Sequence, residues 1–173
     1  MSIDDLQQFR RDKDAFFGDS RQSLIPHGGR LDWRGLSYFE PLADLVFDLP
    51  IDPGDGSELS VQMSDGQIRA YRRAGHITFE VEGDRVRLTL LEMDGHDRLF
   101  VPFRDSTSGK ETYGAGRYLD VTPRGDGTVT TDFNYAYNPY CAYDDAYSCP
   151  LPPAENRLRV PIRAGERSYK TAG

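Results

Sequence analysis

The sequence predicts a mainly β protein that has one N-terminal α-helix and an antiparallel sheet. Apolar residues recur at helical spacing in residues 1–18, and apolar and polar residues alternate from residue 44 onward. Short Gly- and Asp-containing turn signals separate the alternating runs, which is typical of antiparallel connections. We expect the strands to form a meander that closes into a barrel, with a two-sheet sandwich as the alternative.

The N-terminal residues carry the signals of a helix start and a helix stop. Ser2 and Asp5 resemble a capping box with Asp in place of Glu, and Gly18 suits the position just after a helix. Five side chains then share one side of the predicted helix: Leu6, Phe9, Lys13, Phe16 and Phe17.

The chain has 173 residues, which is the length of one domain. The domain organisation that we expect has a helical arm over 1–18, a turn-rich wrapping segment over 19–43 and a β-barrel over 44–173. Within the barrel region, residues 132–156 form an irregular loop rich in tyrosine and proline.

Nine segments have the alternation or composition of strands. Phe79 and Val81 alternate with charged residues, and Glu82-Gly83 then marks the turn of a hairpin. The predicted strands are Leu45–Leu49, Leu59–Met63, Ile68–Arg73, His76–Glu82, Arg85–Glu92, Leu99–Pro102, Gly116–Val121, Thr128–Phe133 and Leu158–Ile162.

The charge of the chain argues against two classes of partner. Its net charge of −7 disfavours binding to nucleic acid or to an anionic membrane, because both need a basic surface. No run approaches the ~18 apolar residues of a membrane span, and the N-terminus lacks the apolar region of an export signal. We therefore expect a cytoplasmic protein with reduced cysteines.

Residues 132–156, DFNYAYNPYCAYDDAYSCPLPPAEN, are the most distinctive part of the chain. They hold both cysteines, five of the ten tyrosines and four of the eleven prolines. The prolines exclude a helix, and disordered chain is poor in aromatic residues. We expect an ordered aromatic loop on a rigid scaffold, the kind of element that carries binding sites.

Two blocks carry a resemblance to a known family. They are LFVPFRDSTSGKETYGAGRYLD (residues 99–120) and DFNYAYNPYCAYDDAYSCPLPPAENRLRVPIRAGERSY (residues 132–169). Together with KDAFF and RGLSYFEP nearer the N-terminus, they resemble a bacterial and archaeal family known as a domain of unknown function, DUF1684. The resemblance covers nearly the whole chain and implies no activity.

Arg117 is the first candidate for a ligand contact. It opens a predicted strand after Gly114 and Gly116, and inside a barrel it could hold a carboxylate or phosphate through two hydrogen bonds. The alternative is a structural ion pair at the barrel mouth with Asp120, Asp132 or Glu111.

Five further polar side chains could line a pocket beside Arg117. Asp132 and Asn134 share a strand face if the strand continues, and the loop then adds hydrogen-bonding groups. Equally, Asp and Asn ahead of a proline often cap their own backbone. The candidate ligand-binding residues are Tyr113, Asp132, Asn134, Tyr137 and Asn138.

Cys141 and Cys149 leave three alternatives open. A disulfide would close the loop, two buried thiols would pack it onto the core, and a metal or nucleophilic role would need further ligands or a nearby base. The sequence has no CxxC motif, and its three histidines (His27, His76 and His96) lie in separate turns. We expect no metal and no cofactor.

Three functions remain after these exclusions. The favoured one is a small-molecule-binding module whose barrel interior holds a ligand, with Arg117, Asn134 and Tyr137 fixing its polar end. The alternative is an acid/base hydrolase or lyase with a site in residues 105–117 and 132–138, in which Asp105, Asp132 or Glu166 transfers protons. A structural or assembly role is the third. The sequence does not indicate an oligomeric state.

Overall fold

Antiparallel strands are the main regular element of the computed structural model, which describes residues 2–19, 35–144 and 146–169. One helix, α1 (Ile3–Asp19), precedes them and ends one residue beyond the predicted stop. The Asp5 amide donates to the Ser2 hydroxyl oxygen at 3.2 Å, as the predicted cap requires. Of the wrapping segment predicted over 19–43, residues 20–34, which include His27, lie outside the described part.

Eight strands follow the helix. They are β1 (Val46–Pro50), β2 (Asp52–Pro53), β3 (Glu58–Gln62), β4 (Ile68–Val81), β5 (Asp84–Glu92), β6 (Leu99–Phe103), β7 (Arg117–Val121) and β8 (Thr128–Asp132). One sheet has the order β2-β4-β5-β6-β7 with β3 also paired to β4, and β1 pairs with β8 in a second sheet. All strand pairs are antiparallel.

The two strands predicted over 68–73 and 76–82 are one strand, β4, with a bulge between Arg73 and Gly75. Gly75 has a φ of +155°, and a Cβ there would lie 2.5 Å from the Asp52 carbonyl oxygen. The bulge lets the first half of β4 pair with β3 while its second half pairs with β2. The predicted hairpin after β4 is confirmed, and positive φ angles at Glu82 and Gly83 suit a two-residue turn.

The six-stranded sheet packs against a hydrophobic cluster on each face. We call the face that carries Ile77, Leu90 and Leu119 the inner face, and the face that carries Leu91, Phe100 and Tyr118 the outer face. The inner face packs into the main core with Phe103 and Phe133. Cys141 and Cys149 bring the 132–156 loop onto the outer face. The fold is therefore mainly β, with alternate side chains entering two cores.

The closed barrel is not found in the described part of the chain, because the ladder of β1 and β8 is separate from the six-stranded sheet. The two-sheet alternative describes this arrangement equally well. The strand predicted over 158–162 was wrong, since these residues form no ladder. The apolar residues of this segment recur at every second position because Val160 and Ile162 pack into the main core.

Asn156 takes the place of ladder bonds between β5 and β6, whose pairing is limited to two residues on each strand. Its side-chain amide donates to the carbonyl oxygens of Thr89 and Pro102, each at 2.9 Å, and its side-chain oxygen accepts from the Thr89 amide at 2.8 Å. The fully buried side chain therefore connects the two strands where their backbones separate.

Candidate functional site

Arg117 lies on the inner face and is 1% exposed. Its guanidinium donates to the carbonyl oxygens of Ile162 (2.7 Å), Ala164 (2.5 Å) and Glu166 (3.1 Å). Burial lowers the pKa of Arg117, and the Asp105 carboxylate, with an oxygen 3.6 Å away, opposes that shift. These contacts favour the structural alternative for Arg117, although its buried partner is Asp105 rather than Asp120, Asp132 or Glu111.

Asp105 is also occupied by groups of the chain. Its carboxylate accepts from the Ile162 amide at 2.6 Å and from the Thr107 hydroxyl at 2.8 Å. Asp105 and Arg117 therefore both bind the backbone of residues 162–166. The carboxylate accepts from a backbone amide, and the guanidinium donates to backbone carbonyls. Thr107 also meets the Thr112 hydroxyl at 2.9 Å, which fixes the loop between β6 and β7.

Glu166 is the second buried carboxylate, and it connects the C-terminal segment to α1. It forms an ion pair with Lys13 and accepts from the Tyr143 hydroxyl (2.6 Å) and the Asn138 amide (3.1 Å). Burial raises the pKa of Tyr143, and the Glu166 charge adds to the shift because it disfavours a second negative charge. The predicted residue Asn138 thus belongs to a network that docks the helix.

Asp132 and Asn134 act on the backbone next to them. The Asn134 side chain accepts from the Leu42 amide at 3.0 Å and donates to the Leu42 carbonyl at 3.2 Å. Asp132 accepts from the Asn134 backbone amide at 3.0 Å, which caps the short 3-10 turn after β8. These contacts are of the capping kind that the sequence left open, and they fix the edge of the wrapping segment.

Tyr137 is brought to the outer face, away from the Arg117 network. Its backbone pairs with Tyr118, and its hydroxyl donates to the Asp120 carboxylate at 3.0 Å. Burial raises the pKa of Tyr137, and the neighbouring Asp120 charge adds to the shift. The ring stands edge-on to Tyr118 with 5.7 Å between centroids.

A cleft of about 250 Å³ opens on this outer face. We call it the aromatic cleft. Its wall is formed by rings from three strands and the loop: Tyr71 of β4, Phe100 of β6, Tyr118 of β7, and Tyr137 and Tyr140 of the loop. Arg69, Met93, Pro139, Ser148, Cys149 and Pro150 complete the lining. The prolines and tyrosines of the loop therefore shape a concave surface over the sheet.

Arg69 is the cation of the cleft. It shares a strand face with Tyr71 and Arg73, because side chains repeat every two residues. Arg73 is held by Glu155, with 2.8 Å between the guanidinium and the carboxylate, whereas no carboxylate pairs with Arg69 within the ranges described. Arg69 is exposed, so its charge faces solvent at the edge of an apolar wall.

The two cysteines lie beneath this cleft as free, buried thiols in contact with each other. The Cys141 amide donates to the Cys149 sulfur at 3.2 Å, and the Tyr113 hydroxyl lies 3.8 Å from the Cys141 sulfur. A hydrogen bond from the Cys149 thiol lowers the pKa of Cys141 to about 6, and sharing that proton raises the pKa of Cys149. The predicted residue Tyr113 thus contacts the thiol pair.

Across 2–19, 35–144 and 146–169 there is no group of three or more His, Cys, Asp or Glu side chains placed to hold a metal ion. Within the same ranges no helix is long and apolar enough to cross a membrane.

The family resemblance is confirmed by comparison with known proteins. Residues 31–167 match the family described as Protein of unknown function (DUF1684). The chain belongs to this family. It is also similar to an uncharacterized protein of Haloarcula marismortui solved by solution NMR. The two are 40% identical, with a TM-score of 0.72, over 95% of this chain and 92% of that one. No curated protein matches the chain.

Arg69, Tyr71 and Phe100 are not among the residues predicted from the sequence, because they lie outside the two candidate segments 105–117 and 132–138. For this DUF1684 member the signal was present in β4, where Arg69 and Tyr71 alternate with Ile68 and Ala70. An Arg and a Tyr on one strand face predict a surface with both charge and apolar area. The alternation along β4 does not show that the 132–156 loop lies beside this face.

Proposed function

We propose that the protein binds a small, flat, anionic compound in the aromatic cleft. The observation that carries the proposal is that an aromatic wall lies beside Arg69, an exposed cation that forms no ion pair within the described residues. Ligand sites are concave and mostly apolar, with a few polar groups that fix the orientation of the ligand. At about 250 Å³ the cleft suits a compound of one or two fused rings.

The aromatic wall supports a flat ligand. Phe100 and Tyr118 stand edge to face with 4.7 Å between centroids, and Tyr71 lies 6.2 Å from Phe100. A planar guest can add to such a cluster through offset or edge-on contacts, each worth roughly 0.5–1.5 kcal/mol beyond burial of its area. The Tyr118 hydroxyl already donates to the Pro150 carbonyl oxygen, so this ring is fixed before a ligand arrives.

Arg69 supports an anionic ligand. A guanidinium binds a carboxylate or phosphate through two parallel hydrogen bonds, and it also stacks on aromatic rings. Its neighbour Arg72 has Glu92 within 3.8 Å, and Arg73 has Glu155, so of these three arginines Arg69 alone lacks a partner among the described residues. Its charge is available to a ligand in the cleft.

This proposal moves the binding site from the barrel interior that the sequence predicted to the outer face. Tyr137 stays in the site, and Tyr113 is linked to it through Cys141. Arg117 and Asn134 already direct their donors at backbone groups of the chain, so a ligand would have to replace those contacts. The acid/base alternative is less well supported, because Asp105 and Glu166 are each engaged by several of the chain's own donors.

Calorimetric titration with naphthoate, and with neutral naphthylmethanol as the uncharged analogue, tests the proposal. We expect Arg69→Ala to weaken naphthoate binding about tenfold and to leave naphthylmethanol binding unchanged, since a charge-assisted pair contributes ~1.4 kcal/mol or more. Arg72→Ala removes a neighbouring charge outside the cleft and should change neither.

A second pair of variants tests the wall. Tyr140 and Tyr147 contact each other with 5.4 Å between ring centroids, but only Tyr140 lines the cleft. Tyr140→Ala and Tyr147→Ala each remove this ring contact, but only Tyr140→Ala also removes part of the cleft wall. We therefore expect Tyr140→Ala to weaken naphthoate binding about fivefold and Tyr147→Ala to leave it unchanged. No binding of naphthoate, or binding that neither Arg69→Ala nor Tyr140→Ala weakens, would overturn the proposal.

A further inference from the structure

Two buried thiols at the aromatic cleft have no part in the proposed binding. Cys149 lines the cleft, and Cys141 lies next to it in the same buried cluster. The Cys141 backbone nitrogen lies 3.2 Å from the Cys149 sulfur, which brings the two side chains close together across a short loop. A disulfide between them needs only a local adjustment of that loop. No third metal-ligating side chain joins them in the described ranges, which disfavours a metal site.

The surroundings of the pair favour reaction over inertness. The sulfur of Cys149 accepts from the Cys141 amide, and the hydroxyl of Tyr113 is directed at the Cys141 sulfur. Donors that stabilise negative charge on sulfur increase the thiolate fraction, and the thiolate is the form that attacks a disulfide. The lowered pKa of Cys141 agrees with this geometry.

We propose that Cys141 and Cys149 form a reversible disulfide that tightens ligand binding in the aromatic cleft. This inference rests on the proposed function, because it assigns a regulator to the same site. The oxidant is a low-molecular-weight disulfide such as oxidised glutathione. Its reduction to two thiols takes up the two electrons that the cysteine pair loses.

The reaction proceeds in two exchange steps. The Cys141 thiolate attacks one sulfur of oxidised glutathione, which breaks that S–S bond and releases one glutathione thiolate. Cys149 then gives up its proton, and its sulfur attacks the Cys141 side of the mixed disulfide. The second glutathione leaves as a thiolate that takes up a proton, and the bond between Cys141 and Cys149 remains.

Tighter binding follows from the position of the loop. Tyr140 precedes Cys141 and forms part of the cleft wall, and Ser148 precedes Cys149 and lines it as well. A covalent link between the two cysteines restricts both neighbours before the ligand binds, which reduces the ordering cost of binding. We expect a naphthoate Kd about threefold lower in the oxidised protein.

To test this, the whole chain is equilibrated in mixtures of reduced and oxidised glutathione, and the remaining thiols are blocked with iodoacetamide. Mass spectrometry of the denatured protein then gives the state of both cysteines. In oxidised glutathione we expect the wild-type protein to lose two hydrogens and to carry no bound glutathione. Excess reduced glutathione should restore both thiols. Cys149→Ser should stop at a mixed disulfide on Cys141, because the resolving thiol is missing. Two blocked thiols in wild type after excess oxidant would overturn the proposal.

Naphthoate titration of the reduced and oxidised wild type separates this inference from the proposed function. A lower Kd after oxidation supports regulation, and an unchanged or higher Kd overturns it even when the disulfide forms. Failure of the reduced protein to bind naphthoate overturns the proposed function instead. The double variant Cys141→Ser/Cys149→Ser, which has no thiol to react, should give the same Kd under both conditions.

Discussion

The two faces of the six-stranded sheet use arginine in opposite ways. On the inner face Arg117 is 1% exposed, and its guanidinium is directed at three carbonyl oxygens and the Asp105 carboxylate. On the outer face Arg69 is exposed beside a wall of aromatic rings, with no carboxylate paired to it in the described part of the chain. An arginine occupied by its own chain holds structure, whereas an unoccupied one beside an apolar cleft can hold a ligand.

The difference is energetic as well as geometric. Removing one partner of a buried ion pair leaves an uncompensated charge in the core, which costs several kcal/mol of the free energy of unfolding. Removing an exposed charge changes that free energy by less than ~1 kcal/mol. Substitutions on the inner face should therefore change stability, and those around the cleft should change binding.

The largest effect is expected for Arg117→Ala. It leaves the Asp105 carboxylate and the carbonyls of Ile162 and Ala164 without this donor, so we expect the free energy of unfolding to fall by about 3–5 kcal/mol. Urea denaturation followed by tyrosine fluorescence measures the change. Arg124→Ala, which removes an exposed pair with Asp48, is the control and should lower it by less than ~1 kcal/mol. Normal stability with loss of naphthoate binding would restore Arg117 as the ligand contact that the sequence predicted.

A similar loss is expected where α1 docks. Lys13→Met leaves the buried Glu166 carboxylate without its cation and should cost about 3 kcal/mol in urea denaturation. Adding Glu166→Gln removes the unpaired buried charge, so the double variant should recover part of the lost free energy of unfolding. The coupling is read from the double-mutant cycle. Additive losses would mean that the two side chains do not interact.

A smaller effect, with a defined pH dependence, is expected at the paired arginine of the outer face. Hydrogen bonds from Arg73 and then from Thr89 lower the pKa of Glu155 in the folded protein. A lowered folded pKa stabilises the protein above the unfolded pKa of about 4.3, and the contribution disappears as the pH falls through the folded pKa. Glu155→Gln should therefore be less stable than wild type at neutral pH, and the gap should narrow below about pH 4. A gap independent of pH would contradict the ion pair.

The smallest effect on stability is expected for Tyr140→Ala. The Tyr140 ring is 52% exposed, so its removal should lower the free energy of unfolding by less than ~1 kcal/mol while weakening naphthoate binding. Thermal unfolding of Tyr140→Ala and Tyr147→Ala, run side by side, measures this. A loss of several kcal/mol for Tyr140→Ala alone would mean that the ring is a structural member of the outer core.

Local patterns predicted the strands well and the site poorly. The alternation along β4 and β5 and the turn at Glu82-Gly83 describe contacts between neighbours in the sequence, so the hairpin was predicted. The alternation over 158–162 arises because side chains pack into the core without a β-ladder. Sequence periodicity does not distinguish such a segment from a paired strand. Arg117 was recognised as unusual, but its partner Asp105 lies across the β6–β7 connection. Arg69 was not predicted, because an exposed arginine on a strand resembles part of a solvated face, and the sequence does not show that the loop lines a cleft beside it.

A naphthoate titration of ¹⁵N-labelled protein, followed by amide chemical shifts, shows directly which face of the sheet binds the ligand. We expect the amide shifts to change at the cleft residues Arg69, Tyr71, Phe100 and Tyr140. The shifts at Asp105, Arg117 and Ile162 should stay constant. Changes centred on Asp105, Arg117 and Ile162, with the cleft residues unaffected, would contradict this expectation and place the ligand on the inner face.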